Sequence, residues 1–93
     1  MAEIRVTRTD VERSPWRFHV TVGEAGSSTS HDVTMSSEDF GRLGSSYGSP
    51  EDFVLACFEF LLEREPKESI LSEFDVSVIG RYFPEFESRI QDG

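Results

Sequence analysis

Histidine and cysteine, two residue types that often act in catalysis and metal binding, are scarce in this 93-residue chain. Its histidines are His19 and His31, its cysteine is Cys57, and no two of them have the close spacing of a zinc-ligand pair. Cys57 lies in the apolar run of residues 53–58, where a free thiol usually packs as a small hydrophobic side chain. A reactive thiolate needs an electropositive, partly exposed setting. We therefore predict no catalytic cysteine, no metal site and no cofactor.

The sequence also lacks the common motifs of catalysis. The glycines within residues 41–48 lack the lysine of a phosphate-binding loop and the spacing of a dinucleotide-binding motif. The acidic pairs at residues 38–39 and 51–52 stand at predicted helix N-termini, where carboxylates stabilise the helix without any catalytic role. We predict a non-enzymatic protein. The alternative is a small-ligand-binding protein or enzyme, in which His19 or His31 lies beside a carboxylate in a deep pocket.

The chain is strongly acidic, with a net charge of −9 from 9 basic and 18 acidic side chains. Such a surface repels both nucleic-acid phosphates and anionic membranes, whereas a basic protein partner is compatible with it. Residues 1–17 differ from the rest, because their four arginines outnumber their three acids. No stretch approaches the about 18 apolar residues of a membrane span, and the N-terminus does not resemble a signal peptide. We therefore expect a cytoplasmic protein that binds neither nucleic acid nor membrane.

Apolar and polar residues alternate along the first third of the chain, as they do in half-buried β-strands. This pattern predicts strands over residues 3–9, 16–23 and 30–36. The connections, residues 10–15 and 23–30, are short and rich in turn-forming residues, which favours antiparallel neighbours. We therefore expect a three-stranded antiparallel meander with one apolar face and one polar face.

Helix signals dominate the remainder of the chain. Serines followed by acidic first turns predict helices over residues 37–43 and 50–64. Shorter helices are predicted over residues 67–73 and 76–83, although the latter segment also alternates like a strand. Residues 88–93 are expected to fray. The predicted fold class is α+β, a single domain over the whole chain with its helices packed on one face of the meander.

Some apolar side chains exceed what one small core needs. Leu55 falls within the polar strip of the main helix, and Tyr82, Phe83 and Phe86 form an aromatic cluster near the chain end. An aromatic surplus rimmed by acids is typical of a protein interface, and the alternative is that these residues cap the core.

A second group of candidate interface residues lies on the polar face of the meander, namely Arg5, Arg17 and His19. The alternative is that they are ordinary solvated strand residues. The sheet edges also invite pairing with another chain. In contrast, Ile70 and Leu71 are expected to face the core from the helix at residues 67–73. The aromatic surplus, the candidate residues on the polar face and the sheet edges together predict a protein-interaction or regulatory domain that binds a protein partner or forms a homodimer.

Two resemblances bear on this hypothesis. The strings FEFLLEREPKESIL and FDVSVIGRYFPEFE, residues 58–71 and 74–87, resemble a block in small uncharacterised bacterial proteins, which implies no activity, cofactor or catalytic residue. In topology, three strands followed by the helix that begins after Ser49 resemble the HicB-like antitoxin domains. That resemblance implies an acidic β-β-β-α core that neutralises a small basic toxin. The acidic-aromatic hairpin usual in those domains, with its downstream turn, is absent from this sequence.

Overall fold

Three long strands follow one another along the first third of the chain. The computed structural model describes residues 2–10 and 13–91. Within them, β1 (Glu3–Asp10), β2 (Trp16–Glu24) and β3 (Ser27–Met35) pair antiparallel in chain order. The predicted meander is therefore present, but it forms only part of the sheet.

The connection between β2 and β3 is much tighter than the sequence suggested. Ala25 and Gly26 both have positive φ, at 55° and 83°. This two-residue turn has the backbone twist that matches the twist of the flanking strands, so pairing continues up to Glu24 and Ser27. The third strand thus begins at Ser27 and not at residue 30, because the turn sets its start despite a serine-rich sequence.

The helix predicted over residues 67–73 is wrong. Lys67–Ser69 forms a single 3-10 turn, and β4 (Glu73–Asp75) then pairs parallel with β3 to complete a four-stranded mixed sheet of order β1-β2-β3-β4. In this pairing Phe74 lies opposite Val33.

Hydrogen bonds to the outer edge of β3 explain why this segment is extended. The backbone N–H of Asp32 donates to the carbonyl of Ser72 at 2.8 Å. The Thr34 hydroxyl donates to Asp75 Oδ2 at 2.6 Å. A sheet edge offers unpaired N–H and C=O groups, and satisfying them outweighs the weak helix preference of a short segment.

Two serine caps set the positions of the longer helices. α1 (Ser37–Leu43) begins after Ser36, whose hydroxyl accepts from the backbone N–H of Asp39 at 3.0 Å. α2 (Pro50–Leu62) begins after Ser49, which accepts from Asp52 N–H in the same way at 3.1 Å. The predicted starts are confirmed, and α2 ends two residues before the predicted residue 64.

Helical structure also forms over residues 76–82 of the segment 76–83, where the alternation leaves a strand possible. A 3-10 turn, Val76–Val78, leads directly into α3 (Ile79–Tyr82). The carboxylate of Asp75 accepts from the backbone N–H of Ser77 at 3.0 Å and so caps this segment. The cap and the staple-like spacing of apolar residues favour the helix over the strand.

The chain end is helical where fraying was expected. α4 (Phe86–Gln91) includes residues 88–91 of the predicted frayed tail, and Ile90 is buried. Residues 92–93 lie outside the described residues. Fraying is prevented because Phe86 and Ile90, one helical turn apart, both pack into the core, and the Tyr47 hydroxyl donates to the Ile90 carbonyl at 2.8 Å.

The core lies between one face of the sheet and the helices. β2 contributes Phe18, Val20 and Val22, which are all buried, while the alternating residues Arg17 and His19 are exposed on the other face. α2 contributes most of the opposing side chains, which are Phe53, Val54, Cys57, Phe58, Phe60 and Leu61. The sheet therefore has one covered face and one open face.

Candidate functional site

An open apolar groove of about 380 Å³ lies where the end of α2 meets β4 and α3. Leu61, Ile70 and Ile79 contribute buried side chains to it. Leu71 and Tyr82 also line it, and they are 49% and 67% exposed. They are the large hydrophobic residues that stand exposed within residues 2–10 and 13–91. Single exposed apolar residues are ordinary. Because two of them line one concave surface, this groove is the candidate site.

The extended conformation before β4 is what places Leu71 at the surface. Successive side chains of an extended segment point to opposite sides, so Ile70 is buried while Leu71 is exposed. The expectation that both would face the core is wrong for Leu71, because it assumed a helix. In the sequence itself, Leu71 is distinguished only as one of two adjacent apolar residues, Ile70 and Leu71.

A buried histidine holds the Leu71 side of the groove in place. His31 is 2% exposed, and its Nδ1 lies 2.8 Å from the carbonyl oxygen of Leu71. A carbonyl only accepts, so Nδ1 carries the proton and donates. The other ring nitrogen lies 2.8 Å from the Thr29 hydroxyl, and the ring packs 5.3 Å from that of Phe58. His31 thus ties the groove to β3 with both ring nitrogens bonded.

Glu65 is the charged residue among those that line the groove. It is half-buried and follows the end of α2, where its backbone N–H donates to the Leu61 carbonyl at 2.9 Å. Within the described part of the chain, no ion pair or side-chain hydrogen bond involves its carboxylate. Its unpaired charge therefore lies at a groove whose lining is mainly apolar.

The two cations next to Glu65 in the sequence are bound elsewhere. The Arg64 guanidinium lies 3.6 Å from the ring centroid of Phe60 and donates to Glu85 at 3.1 Å. A backbone N–H and, secondly, Arg64 hold the pKa of Glu85 below its usual range. Lys67 is buried, and its Nζ contacts Glu68 at 2.6 Å.

The predicted aromatic cluster is divided between surface and core. Tyr82 and Phe83 line the groove. Phe86 does not, because α4 folds back on α2 and places the Phe86 ring 5.1 Å from that of Phe60, with the side chain 1% exposed. For Phe86 the structure therefore favours the alternative, that it caps the core. Leu55 is half-buried on α2 and is not part of the groove lining.

The open sheet face brings the predicted basic strip next to acids. Arg5 Nε pairs with Glu3 at 3.1 Å, and both side chains are largely exposed. His19 Nδ1 lies 3.1 Å from Asp32 Oδ1, directly across the β2–β3 ladder. Arg17 is exposed on the same face. The histidine beside a carboxylate, which the enzyme alternative requires, is thus found on an exposed strand surface and not in a pocket.

Cys57 is buried in the core, where burial raises the pKa of its thiol well above the usual range. The thiol therefore stays protonated, as predicted for a core cysteine. Within residues 2–10 and 13–91, no group of three His, Cys, Asp or Glu side chains is placed to hold a metal ion. In the same part of the chain, no helix has the length and apolar character needed to cross a membrane.

The chain matches no protein-family model, no curated protein and no solved structure. The site therefore has to be interpreted from its own geometry. The sequence pattern identified Tyr82 and Phe83 but missed Leu71 and Glu65. The exposure of Leu71 depends on how the chain runs after Pro66, and the unpaired state of Glu65 depends on what Arg64 and Lys67 contact.

Proposed function

We propose that this chain is a non-enzymatic protein-interaction domain, which binds an apolar segment of a partner protein in the groove. One observation carries the proposal, namely that Leu71 and Tyr82 are both exposed and both line the same concave apolar surface.

The energetics favour a short segment as the occupant. Covering the exposed part of Leu71 or of Tyr82 contributes on the order of 1 kcal/mol each. A few such contacts, set against the entropy lost on association, give a modest affinity. The groove is already formed in the free protein and is tied to β3 through His31, so little ordering is needed on binding.

Selection from a random peptide library displayed against the immobilised protein tests this proposal. We expect enriched peptides with apolar or aromatic anchors, whose binding is lost in the double variant Leu71→Ser, Tyr82→Ser. The control is Ser45→Ala, Ser46→Ala, two exposed positions outside the groove lining, which should bind as the natural chain does. Absence of enriched peptides, or binding that survives the groove substitutions, would contradict the proposal.

Self-association is a second candidate function, and the open edge of β1 favours it. β1 pairs with β2 on one side, and no other strand of the described chain lies on its other side. Its Glu3, Arg5, Arg8 and Asp10 sum to zero charge, so two copies of this edge meet without the repulsion that the net charge of −9 causes elsewhere on average.

A further inference from the structure

We infer that the segment bound in the groove carries a lysine or arginine beside its apolar anchor, and that this cation pairs with Glu65. The inference rests on the proposed function, since it specifies the chemistry of the occupant of the same groove. It adds the requirement that the bound segment carry a cation, whereas the apolar lining alone would select only for apolar side chains.

The first support is the state of Glu65 in the free protein. Glu65 is half-buried as a residue beside the apolar side chains of the groove, and no ion pair of the described residues involves it. An occupant that covers the groove would take this charge further out of water, which is unfavourable unless a partner compensates for it. A cation supplied by the occupant would offset that cost.

The second support is that the two cations next to Glu65 in the sequence are engaged with other groups. Arg64 is held by Phe60 and Glu85, and Lys67 by Glu68. Glu65 is thus left available at the groove, although it stands between these two cations in the sequence.

The third support is the charge of the whole chain. A net charge of −9 raises the local concentration of cationic partners and their rate of encounter. The same charge opposes a second copy of this chain as the occupant. The groove therefore fits a basic segment of a different protein, and its apolar lining supplies contacts that the charge alone does not.

The pairing has a predictable size and salt dependence. A charge-assisted hydrogen bond at a half-buried carboxylate is stronger than a fully exposed ion pair. We expect Glu65→Gln to weaken binding of a selected basic peptide by about fivefold at low salt, and by less as ionic strength rises. Replacing the cationic residue of the peptide by glutamine should cause the same loss, and the two changes together should cost little more than either alone.

Peptide selection on three charge states of the groove tests the inference. The natural chain, Glu65→Gln and Glu65→Arg are each presented with the same random library, and the binding of enriched peptides is measured by fluorescence anisotropy. The natural chain should select apolar anchors flanked by Lys or Arg. Glu65→Gln should lose the charge preference, and Glu65→Arg should select Asp or Glu in that place.

The matched controls are Glu59→Gln and Glu59→Arg, which change the net charge equally at an exposed α2 position outside the groove lining. They should keep the preference for Lys and Arg. Groove-dependent peptides with no cationic preference, or a preference unaltered by Glu65→Arg, would overturn this inference and leave the proposed function intact. Peptides whose binding ignores Leu71 and Tyr82 would overturn both. An equal effect of the Glu59 and Glu65 changes would overturn the pairing with Glu65, because only the net charge would then act.

Discussion

Gly44 ends α1 at a place where two aromatic rings come very close to the backbone. A Cβ added there would lie 2.6 Å from Cδ1 of Phe40 and 2.9 Å from Cδ1 of Phe53. The Phe53 side chain is fully buried, so it has little room to move. The glycine is required here for space and not for a positive φ, because its φ of −111° is accessible to any residue.

Gly44→Ala should therefore destabilise the protein by about 1–3 kcal/mol, since the added methyl group overpacks the core. Gly41→Ala is the control, because a Cβ at that exposed α1 position meets no atom within 4 Å. There, alanine should be neutral or should stabilise the helix by up to about 1 kcal/mol. Urea unfolding followed by circular dichroism measures both, and equal stability of the two variants would contradict the packing argument.

The candidate site shows which single residues a sequence can identify. Tyr82 and Phe83 were found because aromatic residues near a chain end exceed the needs of a small core. Phe86 belongs to the same cluster in the sequence but is buried, because α4 folds back onto α2 and covers its side chain. Glu65 carries no sequence signal, because its unpaired state follows from what Arg64 and Lys67 contact in three dimensions.

At the scale of elements, the sequence predicted those helices and strands whose stabilising signals lie within or next to their own residues. The caps at Ser36 and Ser49 fixed the starts of α1 and α2, and strict alternation identified the first three strands. β4 was missed because three residues carry no periodicity, and its conformation is imposed by the edge of β3. α4 was missed because its stability comes from packing and not from helix propensity.

α4 provides a test at this scale. Ile90→Ala should reduce stability by about 2–4 kcal/mol, because it removes buried methyl groups from a side chain that is 4% exposed. Arg89→Ala, at the exposed neighbouring position of the same helix, should change stability by less than about 0.5 kcal/mol. The measurement is thermal or urea unfolding of both variants. An Ile90→Ala protein as stable as Arg89→Ala would mean that this end of the chain frays, as the sequence alone suggested.

At the scale of the whole molecule, the net charge and the open edge of β1 have opposite effects on self-association. The Cα radius of gyration of 12.3 Å is that of a compact single chain of this length, for which about 12 Å is expected. The net charge of −9 opposes contact between copies, whereas the neutral, open edge of β1 permits it. A homodimer through this edge should therefore strengthen as salt screens the repulsion.

Thr7→Glu together with Thr9→Glu should abolish such a homodimer. Both residues are exposed on β1, and in an antiparallel pair the new carboxylates of two copies would face one another. The control, Ser45→Glu with Ser46→Glu, adds the same charge in an exposed loop and should leave the association unchanged. Sedimentation velocity at low and high salt measures the mass. A natural chain that stays monomeric at high concentration and high salt would contradict self-association.

The parallel pairing of β4 with β3 has a consequence for how ligand occupancy and stability are linked. It joins residues about forty positions apart, Asp32 with Glu73, and the groove exists only once this long loop has closed. Any molecule that occupies the groove thus binds the native state and not the unfolded chain. At a concentration one hundred times its dissociation constant it should raise the free energy of unfolding by about 2.7 kcal/mol. A rise in melting temperature would therefore distinguish molecules that bind the folded chain from those that do not, whatever the activity of the partner is.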